Sequence, residues 1–249
     1  MKIVYHERFK EVYSGDPASK PGRIECIYDE LKEKFEFVEA EAATEEDLQL
    51  VHTQNHIENV KRLKAYKVAL LAVGGAIKAA RLAFGGEPAF GLIRPPGHHA
   101  SPNHAWGFCY FNNLAISVEK LRREGKVKKV LIVDFDLHFG DGTANTFKNI
   151  LDVTYYHLPS GNREYQLESL SSFLSTQKNY DLLAISAGFD RHLEDWGGIL
   201  LTEDYRQIGK LLKNFAEDKC EGRRYAVLEG GYNLEVLGKN VKAFIEGFR

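Results

Sequence analysis

The chain has 249 residues, 44% of them hydrophobic and 27% charged, with a formal net charge of −2. That composition argues against disorder, and the balanced charge offers no basic field for direct contact with nucleic acid. Three cysteines without a Cys-x-x-Cys pair exclude a disulfide framework and a cysteine zinc site; with no apolar leader core near Met1 and no run approaching the roughly 20 apolar residues of a membrane span, a cytoplasmic protein without a membrane is expected.

The chain begins with a short strand at Lys2–Tyr5, then a Gly-, Pro- and Ser-rich loop over 14–22. Residues 24–34 have helical spacing and 35–38 form a second strand. Thr44 caps a helix whose first turn is acidic, which suits the positive end of the helix dipole. After a break over 51–56, with Asn55 as the next cap, residues 57–84 read as a long helical stretch with a kink, or a join between two helices, at Gly74-Gly75. A strand over 90–94 ends at Pro95-Pro96-Gly97, and a helix over 111–124 stops at Gly125. The basic cluster from Lys120 to Lys129 is a solvated helix end. From there strands at 130–136, 153–158, 181–188 and 225–229 alternate with helices at 143–150, 164–178, 204–217 and 233–248. This alternation, and the near-continuous apolar character of the strands, predict an α/β fold with a parallel sheet and helices on both faces. No linker, composition break or repeat divides residues 1–249, so one domain is expected.

The unusual residues follow strand ends. Asp134, Asp136 and His138 alternate along Val130-Leu-Ile-Val-Asp-Phe-Asp-Leu-His-Phe-Gly-Asp-Gly-Thr143, a spacing that projects side chains to one face of an extended chain. Buried carboxylates are costly unless paired or bound to a metal, so the stretch reads as half of a metal site. His98 and His99, Asp190 and Tyr232 follow three other strands, and open parallel sheets bind ligands at the carboxyl ends of their strands. Asp136, His138 and Asp190 would make three protein ligands, leaving a fourth position open as in catalytic sites. Asp134 would stand behind them, accepting from a histidine. Each residue also has a plainer reading: Asp190 and Asp141 as turn residues, His98 and His99 as surface residues, Phe108 as core.

A histidine on such a rim can take a proton from water and return it to a leaving group. Tyr232 can donate to a developing oxyanion, and Gly230 and Gly231 allow a substrate close to the backbone. These parts make a metal-dependent hydrolase for a planar carbonyl, with Phe108 and Tyr110 walling a narrow channel for an apolar stem. One imidazole and two carboxylates suit Zn2+, and Fe2+, Co2+ or Mn2+ also bind such a set.

The sequence resembles the zinc-dependent histone deacetylase superfamily, which includes acetylpolyamine amidohydrolases and acetoin-utilisation proteins. The matching stretches are Arg94-Pro-Pro-Gly-His-His-Ala100, Gly107-Phe-Cys-Tyr-Phe-Asn-Asn113, Asp134 to Thr143, Ser186-Ala-Gly-Phe-Asp190 and Leu228-Glu-Gly-Gly-Tyr-Asn233, in the family's order. Their form is closer to the class II and bacterial amidohydrolase branches than to class I. The resemblance implies the arginase/deacetylase fold with about eight strands, one more than the seven read above. It implies that Asp136, His138 and Asp190 hold zinc, that His98 and His99 are the tandem histidines, and that His99 is the general base and acid. Asp134 then partners His98, Asp141 partners His99, and Tyr232 stabilises the oxyanion. Phe108 forms one channel wall, with Gly107, Gly230 and Gly231 beside the substrate. Carbonyls around Asp134, Asp136 and His138 match a site for K+ or Na+.

The implied substrate is an acetylated amine, either an acetyl-lysine peptide or a small acetylated amine. The alternatives are an acetylpolyamine amidohydrolase, or a silent acyl-binding module of the same fold, which would require loss of one of these residues. A manganese amidinohydrolase shares the fold but needs further Asp and His ligands. The chain also departs from the family. It is short, and the segment after Tyr155-Tyr156-His157 lacks the Gly-rich loop that carries a second channel aromatic. Tyr155 or Tyr156 stands where many members place a serine near the monovalent cation. After Asp190 comes Arg-His-Leu-Glu-Asp-Trp-Gly-Gly, so Trp196 or His192 shapes the pocket mouth.

Overall fold

The computed structural model describes residues 1–249. Seven strands form one all-parallel sheet: β1 (Lys2–Tyr5), β2 (Glu36–Glu39), β3 (Ala89–Gly91), β4 (Val130–Asp134), β5 (Val153–His157), β6 (Leu182–Ala187) and β7 (Arg224–Leu228), in the order β2-β1-β3-β7-β6-β4-β5. The central strands β4, β6 and β7 are buried at every residue, as apolar runs covered on both faces must be. The edge strands β2 and β5 are partly exposed.

The helices are α1 (Arg23–Leu31), α2 (Glu45–Leu48), α3 (Gln54–Lys61), α4 (Tyr66–Phe84), α5 (Asn113–Arg123), α6 (Asp141–Phe147), α7 (Arg163–Thr176), α8 (Thr202–Lys219) and α9 (Leu234–Phe248). Neighbouring residues of the sheet show the two layers. Tyr225, paired with Ala89, points to α5 and meets the Ser117 hydroxyl at 2.6 Å. Phe90, paired with Ala226, points the other way, to Phe244 of α9. None of these helices is long and apolar enough to cross a membrane.

The seven strands are those expected from the residues, and the eighth implied by the resemblance is absent. β5 is a sheet edge, and the four residues after Leu158 lead directly into α7, which leaves no segment to pair beside it. The long helical stretch over 57–84 is two helices, α3 and α4, separated at 62–65 rather than kinked or joined at Gly74-Gly75. Ile57 and Val60 of α3 turn into a small cluster around Leu48 and Phe111, while much of α4 joins the main core. Gly74 lies inside continuous helix because a Cβ there would stand 1.7 Å from the Glu41 carbonyl oxygen; it serves close backbone approach. Thr53, not Asn55, caps α3. α6 begins at Asp141 instead of residue 143.

Candidate active site

β3, β7, β6 and β4 are consecutive neighbours in the sheet, so the segments leaving their carboxyl ends meet on one rim. β4 stops at Asp134, and strand alternation therefore does not aim Asp136 and His138. Two successive side-chain turns do: Asp134 Oδ1 accepts from the Asp136 N–H, and Asp136 Oδ1 accepts from the His138 N–H, each at 3.0 Å. Such Asx-type bonds let short carboxylates direct a loop.

Asp136, His138 and Asp190 each offer a donor atom, and these atoms lie within 4.8 Å of one another. Asp136 Oδ2 accepts from the Gly230 N–H at 2.8 Å, and Asp190 Oδ1 from the Leu137 N–H at 3.0 Å. Asp190 Oδ2 is buried with no hydrogen-bond partner, although His138 Nδ1 stands 3.1 Å away. Burial and the charge of Asp136 raise the Asp190 carboxyl to about 6. Burial also works against ionised Asp136, but His98, His138 and two backbone N–H groups outweigh it and hold its pKa low. The Asp136 and Asp190 carboxylates, 3.3 and 3.1 Å from its Nδ1, lift His138 to about 10. Two buried carboxylates thus converge on one imidazole nitrogen. A Cβ on Gly230 would reach 2.6 Å from Asp136 Oδ2 and 2.8 Å from Asp190 Oδ2, so the glycine keeps the cradle open. An orphaned carboxylate oxygen, a nearby imidazole nitrogen and this cradle fit a divalent ion with a free coordination position.

The tandem histidines stand beside these donors, each tied to a carboxylate. His98 Nδ1 meets Asp134 Oδ2 at 3.0 Å, and His99 Nδ1 meets Asp141 Oδ1 at 2.7 Å. A carboxylate partner keeps the proton on Nδ1 and leaves Nε2 as the acceptor. Burial opposes the charge of His98, but Asp136 and Asp134 hold its pKa well above the ordinary value. Burial and the neighbouring His98 lower His99, against the pull of Asp141. Asp134 Oδ2 also accepts from the Tyr155 hydroxyl at 3.0 Å, and Asp141 Oδ2 from Trp106 Nε1 at 2.9 Å.

These groups open onto a cavity of about 330 Å³ lined by His98, His99, His138, Gly107, Gly230 and four aromatic rings. The rings are Trp106, Phe108, Trp196 and Tyr232. Trp196 stacks on Tyr232 at 4.0 Å and meets Phe108 edge-to-face at 6.4 Å, so it adds a second aromatic side chain to the lining beside Phe108. His192 is buried, accepting from the Glu194 N–H, and plays no part at the mouth. Tyr110 packs against the core instead of walling the cavity. Gly231 also does not line it: a Cβ there would run into Leu237 and Phe189. Burial and the charge of Asp136 raise the Tyr232 phenol far above its ordinary value, keeping it a donor. Phe108 has φ +66°, a strained conformation for an aromatic residue. A larger depression between α2, α4 and α5 is lined by charges already paired, Lys120 with Asp47 and Lys78 with Glu41, and shares no residue with this site.

Several supporting residues carry little or no local signal in the sequence. Glu229 Oε2 accepts from the N–H groups of Gly97 and His98, and Oε1 from the Ser186 hydroxyl. Arg23, fully buried, donates to the carbonyls of Glu229 and Gly231. Asp195 Oδ2 accepts from the N–H groups of Tyr232 and Asn233. His52 donates to the Ser101 carbonyl and accepts from the Asn112 N–H, clamping the loop between the histidines and Phe108. A glutamate ending an apolar strand was the one visible hint; the others act through partners remote in sequence.

A monovalent cation does not fit at Asp134, Asp136 and His138. The Asp136 carbonyl accepts from Arg191 Nε and His157 Nε2, and the His138 carbonyl from His157 Nε2. The Asp134 carbonyl accepts from the Leu158 N–H. His157, in register with Asp134, holds the place expected of Tyr155 or Tyr156. The ring of Tyr156 stacks on Phe173 instead.

Comparison with known proteins bears on the whole arrangement. The model of the histone deacetylase domain matches residues 62–163 and 161–248. A probable deacetylase of Archaeoglobus fulgidus is 30% identical across 94% of this chain and 81% of its own length. A probable deacetylase of Methanothermobacter thermautotrophicus is 32% identical across 85% of this chain and 78% of its own. Histone deacetylase 14, chloroplastic, of Arabidopsis thaliana is 30% identical across 72% of this chain, which spans 51% of that protein. The crystal structure of the HDA15 HD domain superposes with a TM-score of 0.85 at 26% identity, covering 99% of this chain and 88% of that one.

Proposed function

This chain belongs to the histone deacetylase family, and from that premise we propose that it is a metal-dependent deacetylase acting on an N-acetylated amine of the acetyl-lysine type. The observation that carries the proposal is convergence. His99, Tyr232 and His138 line one aromatic cavity, with Asp141 behind His99 and the donors Asp136 and Asp190 beside His138.

A divalent ion, with Zn2+ the best match to one imidazole and two carboxylates, would supply Lewis-acid polarisation of the amide carbonyl and acidify water. The protein's own groups divide the remaining work. His99 keeps its Nδ1 proton on Asp141 and offers Nε2 as the base that takes the proton of the attacking water. The same imidazole then returns that proton to the departing amine. Tyr232, held protonated, donates to the oxygen that gains charge as the carbonyl is attacked. Asp195 fixes the backbone on either side of that donor. His98 and Asp134 form a second imidazole–carboxylate pair beside the donors.

The lining favours acetyl-lysine over an acetylated polyamine. Phe108 and Trp196 both offer apolar surface to a hydrocarbon stem, and the cavity lining, with Pro96 beside the aromatic and imidazole groups, includes no carboxylate for a second ammonium. The test is a panel of acetyl-lysine peptide, N-acetylated putrescine and spermidine, and longer acyl-lysines. The peptide should give the highest kcat/KM; preference for a polyamine would move the assignment to the polyamine branch.

A further inference from the structure

Arg191 follows Asp190 directly and is 1% exposed. It is a buried cation whose hydrogen-bond partners are all neutral. Nε donates to the carbonyls of Phe135 and Asp136 at 3.1 and 3.0 Å, and Nη2 to Leu158 at 2.6 Å. Nη1 reaches the Pro159 carbonyl at 3.3 Å and Gln166 Oε1 at 2.9 Å. Beside it, His157 Nε2 donates to the carbonyls of Asp136 and His138 at 3.0 and 3.1 Å. Because both of its partners are carbonyls, that nitrogen carries the hydrogen. Burying a guanidinium without a carboxylate in contact is costly, so the placement calls for a compensating charge nearby. The charges of Asp136, Asp190 and Asp134 act on Arg191 through their fields.

We infer that the Arg191 guanidinium, completed by the His157 N–H, is a built-in substitute for a bound monovalent cation. It gathers the carbonyls of Phe135, Asp136, Leu158 and, through His157, His138, and so positions the loop bearing Asp136 and His138. Arg191 is a positioning residue. The divalent centre should therefore be indifferent to K+ and Na+. The inference rests on Asp136, His138 and Asp190 being that centre.

The test reads Co2+ affinity of the full chain by competition with a chromophoric chelator, without substrate. K+ or Na+ is exchanged for choline at constant ionic strength near 0.15 M. Wild-type affinity should stay the same in all three salts, whereas saturable tightening by K+ or Na+ would overturn the inference. Arg191→Ala should weaken Co2+ binding about 10- to 100-fold, the usual range for a group supporting metal ligands, and K+ should restore part of it. Unchanged Co2+ affinity in folded Arg191→Ala would also overturn it. If that variant does not fold, the wild-type salt series decides alone. Wild type that binds no Co2+ in any salt would remove the metal centre itself, and this inference with it.

Discussion

Trp106 lies across His99, ring centroids 4.0 Å apart, and Asp141 ties both rings to one carboxylate, Oδ1 to His99 and Oδ2 to Trp106. Burial and His98 lower the His99 pKa from its ordinary 6.5, so the imidazole is neutral at pH 7 and fit to accept a proton. The acidic limb of activity should therefore lie below the ordinary imidazole value of 6.5. Trp106→Phe keeps the ring but removes the N–H, leaving Asp141 with more of its charge for His99. The acidic limb of kcat/KM should then move up in pH. A limb that stays in place would detach Trp106 from the basicity of His99.

Tyr232→Phe should retain the divalent ion and the fold while turnover falls by roughly 10²-fold or more, the range for loss of an oxyanion donor. The comparison needs kcat together with metal content by atomic emission. Wild-type turnover in the metal-loaded variant would remove the phenol from the chemistry.

Gly230→Ala tests the cradle. Its Cβ would press within 2.6 Å of Asp136 Oδ2 and 2.8 Å of Asp190 Oδ2, a contact neither carboxylate can keep. Overpacking of this kind costs about 1–3 kcal/mol, and here it falls on two donor groups. Calorimetry with Zn2+ should show weakened binding, and unaltered binding would place the ion elsewhere.

His52 bears on stability, remote from the reaction. Burial, and then His56, depress its pKa from 6.5 to about 3. The folded state thus binds fewer protons than the unfolded state between those values. Its contribution is complete above about 6.5 and is lost as pH falls toward 3, at up to about 1.4 kcal/mol per pH unit. His52→Gln should be less stable at pH 7 yet show a flatter dependence of Tm on pH between 6.5 and 4. Parallel Tm curves would argue that His52 is not the titrating group.

The strands and the rim were legible because both are written locally. Val130–Asp134 and Leu182–Ala187 are apolar runs, and the polar residues after them stand out against that background. The alternation of Asp134, Asp136 and His138 brought the right residues forward for an incomplete reason, since side-chain turns beyond β4 aim them. The division between α3 and α4 was not legible, because residues 62–65 contain no Gly or Pro and the break follows packing. Arg191 and His157 were beyond local reading too: all their partners but Gln166 are backbone carbonyls, up to 56 positions away, and carbonyls leave no trace in a sequence.

The central claim, hydrolysis at a divalent centre built from Asp136, His138 and Asp190, is tested most directly by acetate release from an acetyl-lysine peptide. Wild type and Asp190→Asn would be stripped with chelator and titrated back with Zn2+, Fe2+, Co2+ or Mn2+. Stripped wild type should be silent and recover at one equivalent of ion, while Asp190→Asn should stay silent at that stoichiometry. Full activity in stripped wild type, or none in metal-loaded wild type on any N-acyl substrate, would contradict it.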